Sequence, residues 1–97
     1  MELYISEAVA KKLKEKHQVS EAEVRQCFLN REGKFAYDTR EDHRTNPPTL
    51  WFIAPTDAGR RLKVIFLRYS KTEYIIKSAY DAEPEAEELY QSYKQRG

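Results

Sequence analysis

The sequence predicts an α+β fold of two N-terminal helices, an antiparallel meander of about four strands and a C-terminal helix. Near both ends of the chain, apolar residues recur every three or four positions, which is the period of an amphipathic helix. Between these ends, short segments of alternating or continuous apolar residues are separated by turn-forming residues, as in a meander. The 97 residues are expected to form one domain.

The two N-terminal helices are predicted from their caps and their apolar stripes. Ser6 can cap a helix over residues 7–16. Ser20 can begin the second helix, because Glu23 follows three residues later and completes a capping box. The stripe residues are Val9, Leu13 and His17 in the first helix, and Val24, Cys27 and Phe28 in the second. These stripes predict that the helices pack as a hairpin, with Cys27 in the core.

The central strands and the last helix follow from alternation and from turn residues. The predicted strands lie around Phe35 and Tyr37 and at residues 50–54, 61–69 and 74–80, and a hairpin turn is marked by Pro55, Asp57 and Gly59. The segment 50–54 is apolar on both faces, so we expect Trp51 in the core. Residues 1–5 can add a short edge strand. Pro84 fits the first turn of the closing helix, whose stripe is Ala86, Leu89, Tyr90 and Tyr93.

The most polar segment of the chain, DTREDHRT at residues 38–45, stands directly before its most apolar strand. Pro47 and Pro48 stiffen its exit, which lowers the entropy cost of holding one conformation. Carboxylates in this segment can orient His43 or Arg44 through charge-assisted hydrogen bonds. We therefore predict a rigid charged rim beside the basic face of the sheet. Whether this rim serves a ligand or only the fold stays open. One histidine is too few to indicate a metal site.

Composition and charge limit the classes of function. The formal net charge is +1, which argues against a generally basic nucleic-acid coat but leaves room for a local patch. Residues 11–17 and 60–63 are basic, whereas residues 81–88 are acidic. Cys27 is the only cysteine, so no intramolecular disulfide can form. The sequence has no signal-peptide core and no run of membrane-spanning length, so we expect a cytoplasmic protein that does not bind membranes.

Two short motifs occur in the predicted helices and strands, KHQVSEAEV from Lys16 and IIKSAY at residues 75–80. Together with the order of elements, they resemble the RelE-like superfamily of small bacterial toxins, and within it the BrnT type. The motif KHQVSEAEV, from Lys16, is similar to the KHGVS found near the end of the first helix in those toxins, with Gln18 in place of glycine. The motif IIKSAY, at residues 75–80, is similar to the I-S-A-R that ends their last strand. Tyr80 stands where they carry an arginine that is expected to serve the active site.

The block DTREDHRT…PPTLWFIA is also similar to a block in short bacterial proteins, some of which bear the label ADP-ribosyl-dinitrogen-reductase hydrolase. ADP-ribosylglycohydrolases are much longer helical proteins with a two-metal acidic site. This chain has neither that length nor a matching acidic motif.

The toxin resemblance implies a metal-independent ribonuclease of a type II toxin–antitoxin system, with RNA as substrate, an antitoxin as partner and no cofactor. Cleavage through the 2′-hydroxyl needs a base, an acid and cations near the phosphate. The candidate catalytic residues are His17, His43, Arg44, Lys63, Lys77 and Tyr80, and the candidate substrate-binding residues are Lys16, Arg40, Arg60 and Arg61. Lys63 and Lys77 lie on adjacent predicted strands, so we expect both to project to one face.

Other readings of the same residues stay open. His17 lies on the apolar stripe of its helix, which favours a buried, hydrogen-bonded or capping histidine over a catalyst, and the charged side chains at positions 16, 60 and 61 can simply be solvated. The near-neutral charge and Tyr80 favour a catalytically silent relative that binds a protein or a nucleic acid. A small-molecule enzyme of the ADP-ribose class would need a pocket that the sequence does not reveal.

Overall fold

Three helices and five strands are formed within residues 1–38 and 48–96, which are the residues that the computed structural model describes. The strands are β1 (Glu2–Tyr4), β2 (Ala36–Tyr37), β3 (Thr49–Pro55), β4 (Arg61–Arg68) and β5 (Glu73–Asp81). The helices are α1 (Glu7–Lys12), α2 (Glu21–Asn30) and α3 (Pro84–Arg96), and a π-helical segment, Leu13–His17, continues α1. The predicted α+β class is therefore confirmed.

The sheet of the described residues has five strands in the order β1-β5-β4-β3-β2. β2, β3, β4 and β5 pair in antiparallel fashion, whereas β1 lies parallel to β5, with Leu3 opposite Tyr74. The predicted antiparallel meander of about four strands corresponds to β2–β5, and the short edge strand expected from residues 1–5 corresponds to β1. The parallel pairing of β1 with β5 was not predicted, and it makes the sheet mixed. This pairing arises because the chain runs from β1 through α1 and α2 before it returns to the far edge of the sheet.

The two N-terminal helices begin where their caps predict. The Ser6 hydroxyl oxygen accepts a hydrogen bond from the Val9 amide at 3.1 Å. Ser20 accepts from the Glu23 amide at 3.1 Å while its own amide donates to the Glu23 carboxylate at 3.0 Å, so the capping box is complete. The first helix differs from the prediction of one α-helix over residues 7–16, because the α-helical hydrogen bonds end at Lys12 and a π-helical segment follows.

Both faces of the sheet are covered. Phe28 of α2 packs edge-on against Phe52 of β3 and Phe66 of β4, with ring centroids 4.8 and 5.3 Å apart. On the opposite face, Trp51 of β3 meets Tyr90 of α3 at 5.6 Å. Successive strand residues point to opposite faces, so a strand covered on both faces needs apolar side chains on both, as residues 50–54 of β3 have. This confirms the prediction for residues 50–54, and Trp51 and Cys27 are both buried.

Candidate functional site

An open cleft of about 670 Å³ lies where the π-helical segment, the start of β4, the end of β5 and the start of α3 meet. Its lining residues are Lys16, His17, Gln18, Lys63, Tyr80, Asp81, Glu83, Glu85, Ala86 and Leu89. Four of the residues proposed from the sequence, at positions 16, 17, 63 and 80, are therefore brought together from distant parts of the chain. This convergence makes the cleft the candidate functional site.

His17 ends the π-helical segment and faces the last strand. Its ring lies 5.3 Å from the ring of Tyr80, centroid to centroid, at an interplanar angle of 45°. Desolvation lowers the pKa of His17 below its usual 6.5, and the positive charges of Lys16 and Lys12 lower it further, against a smaller opposing effect of Asp81. The imidazole is therefore mainly neutral at pH 7 and able to accept a proton.

Lys63 and Tyr80 share one face of the sheet, because they are direct partners across β4 and β5. The ammonium of Lys63 also stands over the ring of Trp51, 4.6 Å from its centroid. This cation–π contact holds the charge beside an aromatic residue that packs under α3, while the Lys63 side chain also contributes to the lining of the cleft. Lys16 is exposed at the rim.

Arg60 and Arg61 both meet carboxylates. Arg60 donates from Nε to Asp81 Oδ1 at 2.7 Å and from Nη2 to Asp81 Oδ2 at 3.2 Å. Arg61 makes a similar bidentate pair with Glu87 of α3, at 2.6 and 3.0 Å. Hydrogen bonding to Arg60 holds the pKa of Asp81 below its ordinary value, so this pair is ionised at neutral pH. The predicted substrate-binding role of the two arginines stays a prediction, but a phosphate would have to compete with these carboxylates.

Lys77 lies outside the cleft. It is three residues from Tyr80 along β5, so regular strand alternation already directs the two side chains to opposite faces of the sheet, and the sheet is also irregular at this point. The register of β4 and β5 shifts between Ile65 and Phe66, which pair with Ser78 and Ile76, and Lys77 is skipped. Its side chain is exposed, and its carbonyl accepts a hydrogen bond from Lys12 Nζ at 3.2 Å. The described lining of the cleft includes Lys63 but not Lys77, so the expected pair of lysines does not meet there.

Arg40, His43 and Arg44 lie outside the described residues. The predicted charged rim at residues 38–45, and its position relative to Lys63 and Lys77, therefore stay predictions. At the described end of that segment, the Asp38 amide donates to the Thr49 carbonyl at 2.9 Å, which extends the pairing of β2 with β3 by one residue.

The acidic part of the lining was not proposed as part of the site. Asp81, Glu83 and Glu85 come from the end of β5 and the start of α3. The run of acids at residues 81–88 was visible in the sequence. Its position opposite Lys16 and His17 depends on the chain passing from β5 to α3 beside the end of the π-helical segment. The cleft thus combines two lysines with three carboxylates.

A larger and more apolar groove, of about 1380 Å³, lies beside β1. Leu3, Ile5, Leu13 and Val19 contribute to its lining. Two of its three acidic residues, Glu23 and Glu73, are engaged in hydrogen bonds within the fold, to Ser20 and to Tyr4. The smaller cleft is the better candidate for chemistry, because its lining contains a histidine, a tyrosine and lysines in proximity.

No family model, curated protein or solved structure matches the chain. Within residues 1–38 and 48–96, no group of three or more histidine, cysteine or acidic side chains is arranged to hold a metal ion. Over the same ranges, none of the helices has the length and apolar character needed to cross a bilayer. The function is therefore argued from the cleft itself.

Proposed function

We propose that the protein is a metal-independent ribonuclease of the RelE-like, BrnT toxin type, and that the cleft at His17 is its active site. The observation that carries this proposal is the convergence of His17, Tyr80, Lys63 and Lys16 from separate segments of the chain. A base, a hydroxyl donor and two cations within one cleft are the groups that cleavage through the 2′-hydroxyl requires.

In the proposed reaction, the neutral imidazole of His17 takes the proton from the ribose 2′-hydroxyl. The 2′-oxygen then attacks the adjacent phosphorus, and the bond to the 5′-oxygen of the next nucleotide breaks. Tyr80 supplies a proton to this leaving oxygen, and Lys63 and Lys16 balance the negative charge on the phosphate. The products are a 2′,3′-cyclic phosphate and a 5′-hydroxyl end.

The backbone at Gln18 supports the resemblance to the BrnT type. Gln18 has φ 52° and ψ 46°, a left-handed conformation that glycine adopts without strain. The similar motif of those toxins has glycine at this position, so both sequences fit the same corner after the first helix. The π-helical segment that leads into His17 also supports a functional role, since such segments are rare and frequently occur at functional sites.

The alternative proposal is a catalytically silent member of the same fold that binds a protein partner. It is favoured by the carboxylates of Asp81, Glu83 and Glu85 in the cleft, because a phosphate backbone would be repelled by them. The pairing of Arg60 and Arg61 with carboxylates favours it as well. A basic segment of an antitoxin or of another protein would complement this acidic lining.

The test is RNA cleavage by the purified protein, on single-stranded RNA alone and in a bacterial translation extract, with and without a chelator. We expect chelator-resistant cleavage that leaves cyclic phosphate ends and is absent from an otherwise identical DNA substrate. His17→Asn should lower the rate by about 10²–10⁴-fold, because it removes the base. Lys11→Ala removes an exposed lysine of α1 and should leave the rate unchanged. The rate should rise with pH through the lowered pKa of His17.

Induced expression in a bacterial host provides the second arm of the test. Growth arrest by the wild type, relieved in His17→Asn at equal protein level, agrees with the toxin proposal. Normal growth, together with no cleavage in either assay, would reject the ribonuclease and leave the silent binding module. Equal cleavage by the wild type and His17→Asn would reject the cleft as the active site.

A further inference from the structure

Arg60 connects three parts of the fold beside the cleft. Its Nη1 donates to the Gln18 carbonyl at 2.7 Å, and its Nη2 donates to the His17 carbonyl at 2.9 Å. The same guanidinium holds both carboxylate oxygens of Asp81 and reaches Glu23 of α2 at 3.4 Å. These contacts join the end of the π-helical segment to β5 and to α2.

The contacts of Arg60 reach the chain segments that carry the two rings of the cleft. The bonds to the carbonyls of His17 and Gln18 fix the backbone that carries the imidazole. The bonds to Asp81 hold the residue that directly follows Tyr80 in β5. The guanidinium is planar and presents its donors in a fixed fork, so it sets the distance and the angle between these groups.

The backbone of Arg60 is itself held in place at the turn before β4. Its amide donates to the Thr56 hydroxyl at 3.1 Å, and its carbonyl accepts from the Thr56 amide at 2.8 Å. Thr56 is buried. The side chain of Arg60 therefore extends from a backbone that is itself held in place, and a side chain that positions another group needs such support.

We propose that Arg60 is a positioning residue, whose five hydrogen bonds hold the ring of His17 against the ring of Tyr80. This differs from the substrate-binding role expected from the sequence, because the guanidinium acts on the backbone of His17 and not on a phosphate. The consequence for catalysis rests on the proposed function, whereas the arrangement of the two rings does not.

The experiment measures the ring pair directly, by nuclear Overhauser effects between the ring protons of His17 and Tyr80. The chain has two histidines, and a His43→Gln variant assigns their signals. In the wild type, the 5.3 Å separation of the ring centroids predicts cross-peaks between the two rings and a ring-current shift of the His17 protons. In Arg60→Ala we expect these cross-peaks to be lost, while those between Phe28 and Phe52 in the core persist.

Arg61→Ala is the matched control for ring geometry. It removes a neighbouring arginine with a bidentate carboxylate partner, but that partner is Glu87 of α3 and not the corner at His17. The ring cross-peaks should therefore survive in Arg61→Ala. Arg60→Lys keeps the charge and loses the fork, and should restore the cross-peaks only in part. Unchanged cross-peaks in Arg60→Ala would overturn the inference.

Two further measurements keep the outcomes distinct. Should Arg60→Ala fail to fold, Asp81→Asn removes the charge of the bidentate partner at constant size, and full retention of the ring cross-peaks would then contradict the inference. If the protein cleaves RNA, Arg60→Ala should lower kcat by about 10²-fold with little change in KM, because the base is displaced while the lysines remain. If the wild type cleaves no RNA and the ring cross-peaks disappear in Arg60→Ala, the proposed function is rejected and the positioning role of Arg60 stands.

Discussion

Replacing Gln18 by glycine and by alanine tests the backbone corner on which the position of His17 depends. Among the described residues, Gln18 is the one non-glycine residue with a positive φ, 52°. Its side-chain amide donates to the Glu15 carbonyl at 3.0 Å, and both substitutions remove this hydrogen bond. The loss of this hydrogen bond is common to both variants, so it drops out when the stabilities of Gln18→Gly and Gln18→Ala are compared. The remaining difference reports the cost of a Cβ atom in the left-handed region.

The magnitude follows from two opposing contributions. A Cβ atom in the left-handed conformation costs roughly 1–2 kcal/mol, and glycine avoids that cost. Glycine also makes the unfolded chain more flexible, which destabilises the folded state by about 0.4–1 kcal/mol relative to alanine. The balance predicts that Gln18→Gly is more stable than Gln18→Ala by about 0.5–1 kcal/mol, the reverse of the order found inside helices.

Urea denaturation measures this difference, because the midpoint shifts at constant slope when only stability changes. The same pair of substitutions at Lys11, an exposed residue inside α1, is the control and should show alanine more stable than glycine by about 1 kcal/mol. If Gln18→Ala equals or exceeds Gln18→Gly in stability, the residue is not left-handed in solution. The fit between this position and the glycine of the toxin motif would then be lost as well.

The remaining predictions concern the docking of α3 and the buried thiol. A Cβ added at Gly33 would lie 2.7 Å from the hydroxyl oxygen of Tyr90, so Gly33→Ala should cost about 1–3 kcal/mol in urea unfolding. The cost should shrink in a Tyr90→Phe background, and additive effects in the double-mutant cycle would refute the contact. Burial raises the pKa of Cys27 to about 12, so a disulfide reagent at mildly alkaline pH should label the thiol only after unfolding; rapid labelling of the native protein would contradict this.

The parts of the fold that the sequence predicts are those with a local signal. The capping box of Ser20 and Glu23 lies within four residues, and the apolar strand before Pro55 has no polar face to confuse its assignment. The parallel pairing of β1 with β5 has no such signal, because Leu3 and Tyr74 are far apart in the chain. The direction of β1 depends on the path of the whole chain, and therefore residues 1–5 were expected only as a short edge strand, with no direction assigned.

The π-helical segment left a weaker trace in the sequence. Val9, Leu13 and His17 recur strictly every four residues, which is longer than the 3.6-residue turn of an α-helix. In a straight α-helix such a series drifts around the axis by roughly 40° at each step. A wider turn over Leu13–His17 reduces that drift and keeps His17 directed towards β5.

The candidate site was predictable in its residue types but not in its pairings. Lys63 and Tyr80 face each other because of the register of β4 and β5, and Lys77 does not join them because it is three residues from Tyr80 along the strand. From the sequence, Arg60 and Arg61 were expected to be cations available to a substrate, because they follow a predicted turn. Their carboxylate partners are 21 and 26 residues away, on elements whose packing the sequence does not specify.

The cost of the local backbone bears on the proposed role of the cleft. A π-helical segment followed by a left-handed glutamine is an unfavourable way to end a helix, and it persists only where surrounding contacts hold it. Here the Val19 amide donates to the Leu13 carbonyl at 2.8 Å, and Arg60 holds the carbonyls of His17 and Gln18. A helix that only covered a sheet edge would not need this arrangement, since an ordinary α-helical end with glycine would serve. Because this unfavourable conformation directs the imidazole of His17 at the ring of Tyr80, it supports the proposal that these two residues act together in the cleft.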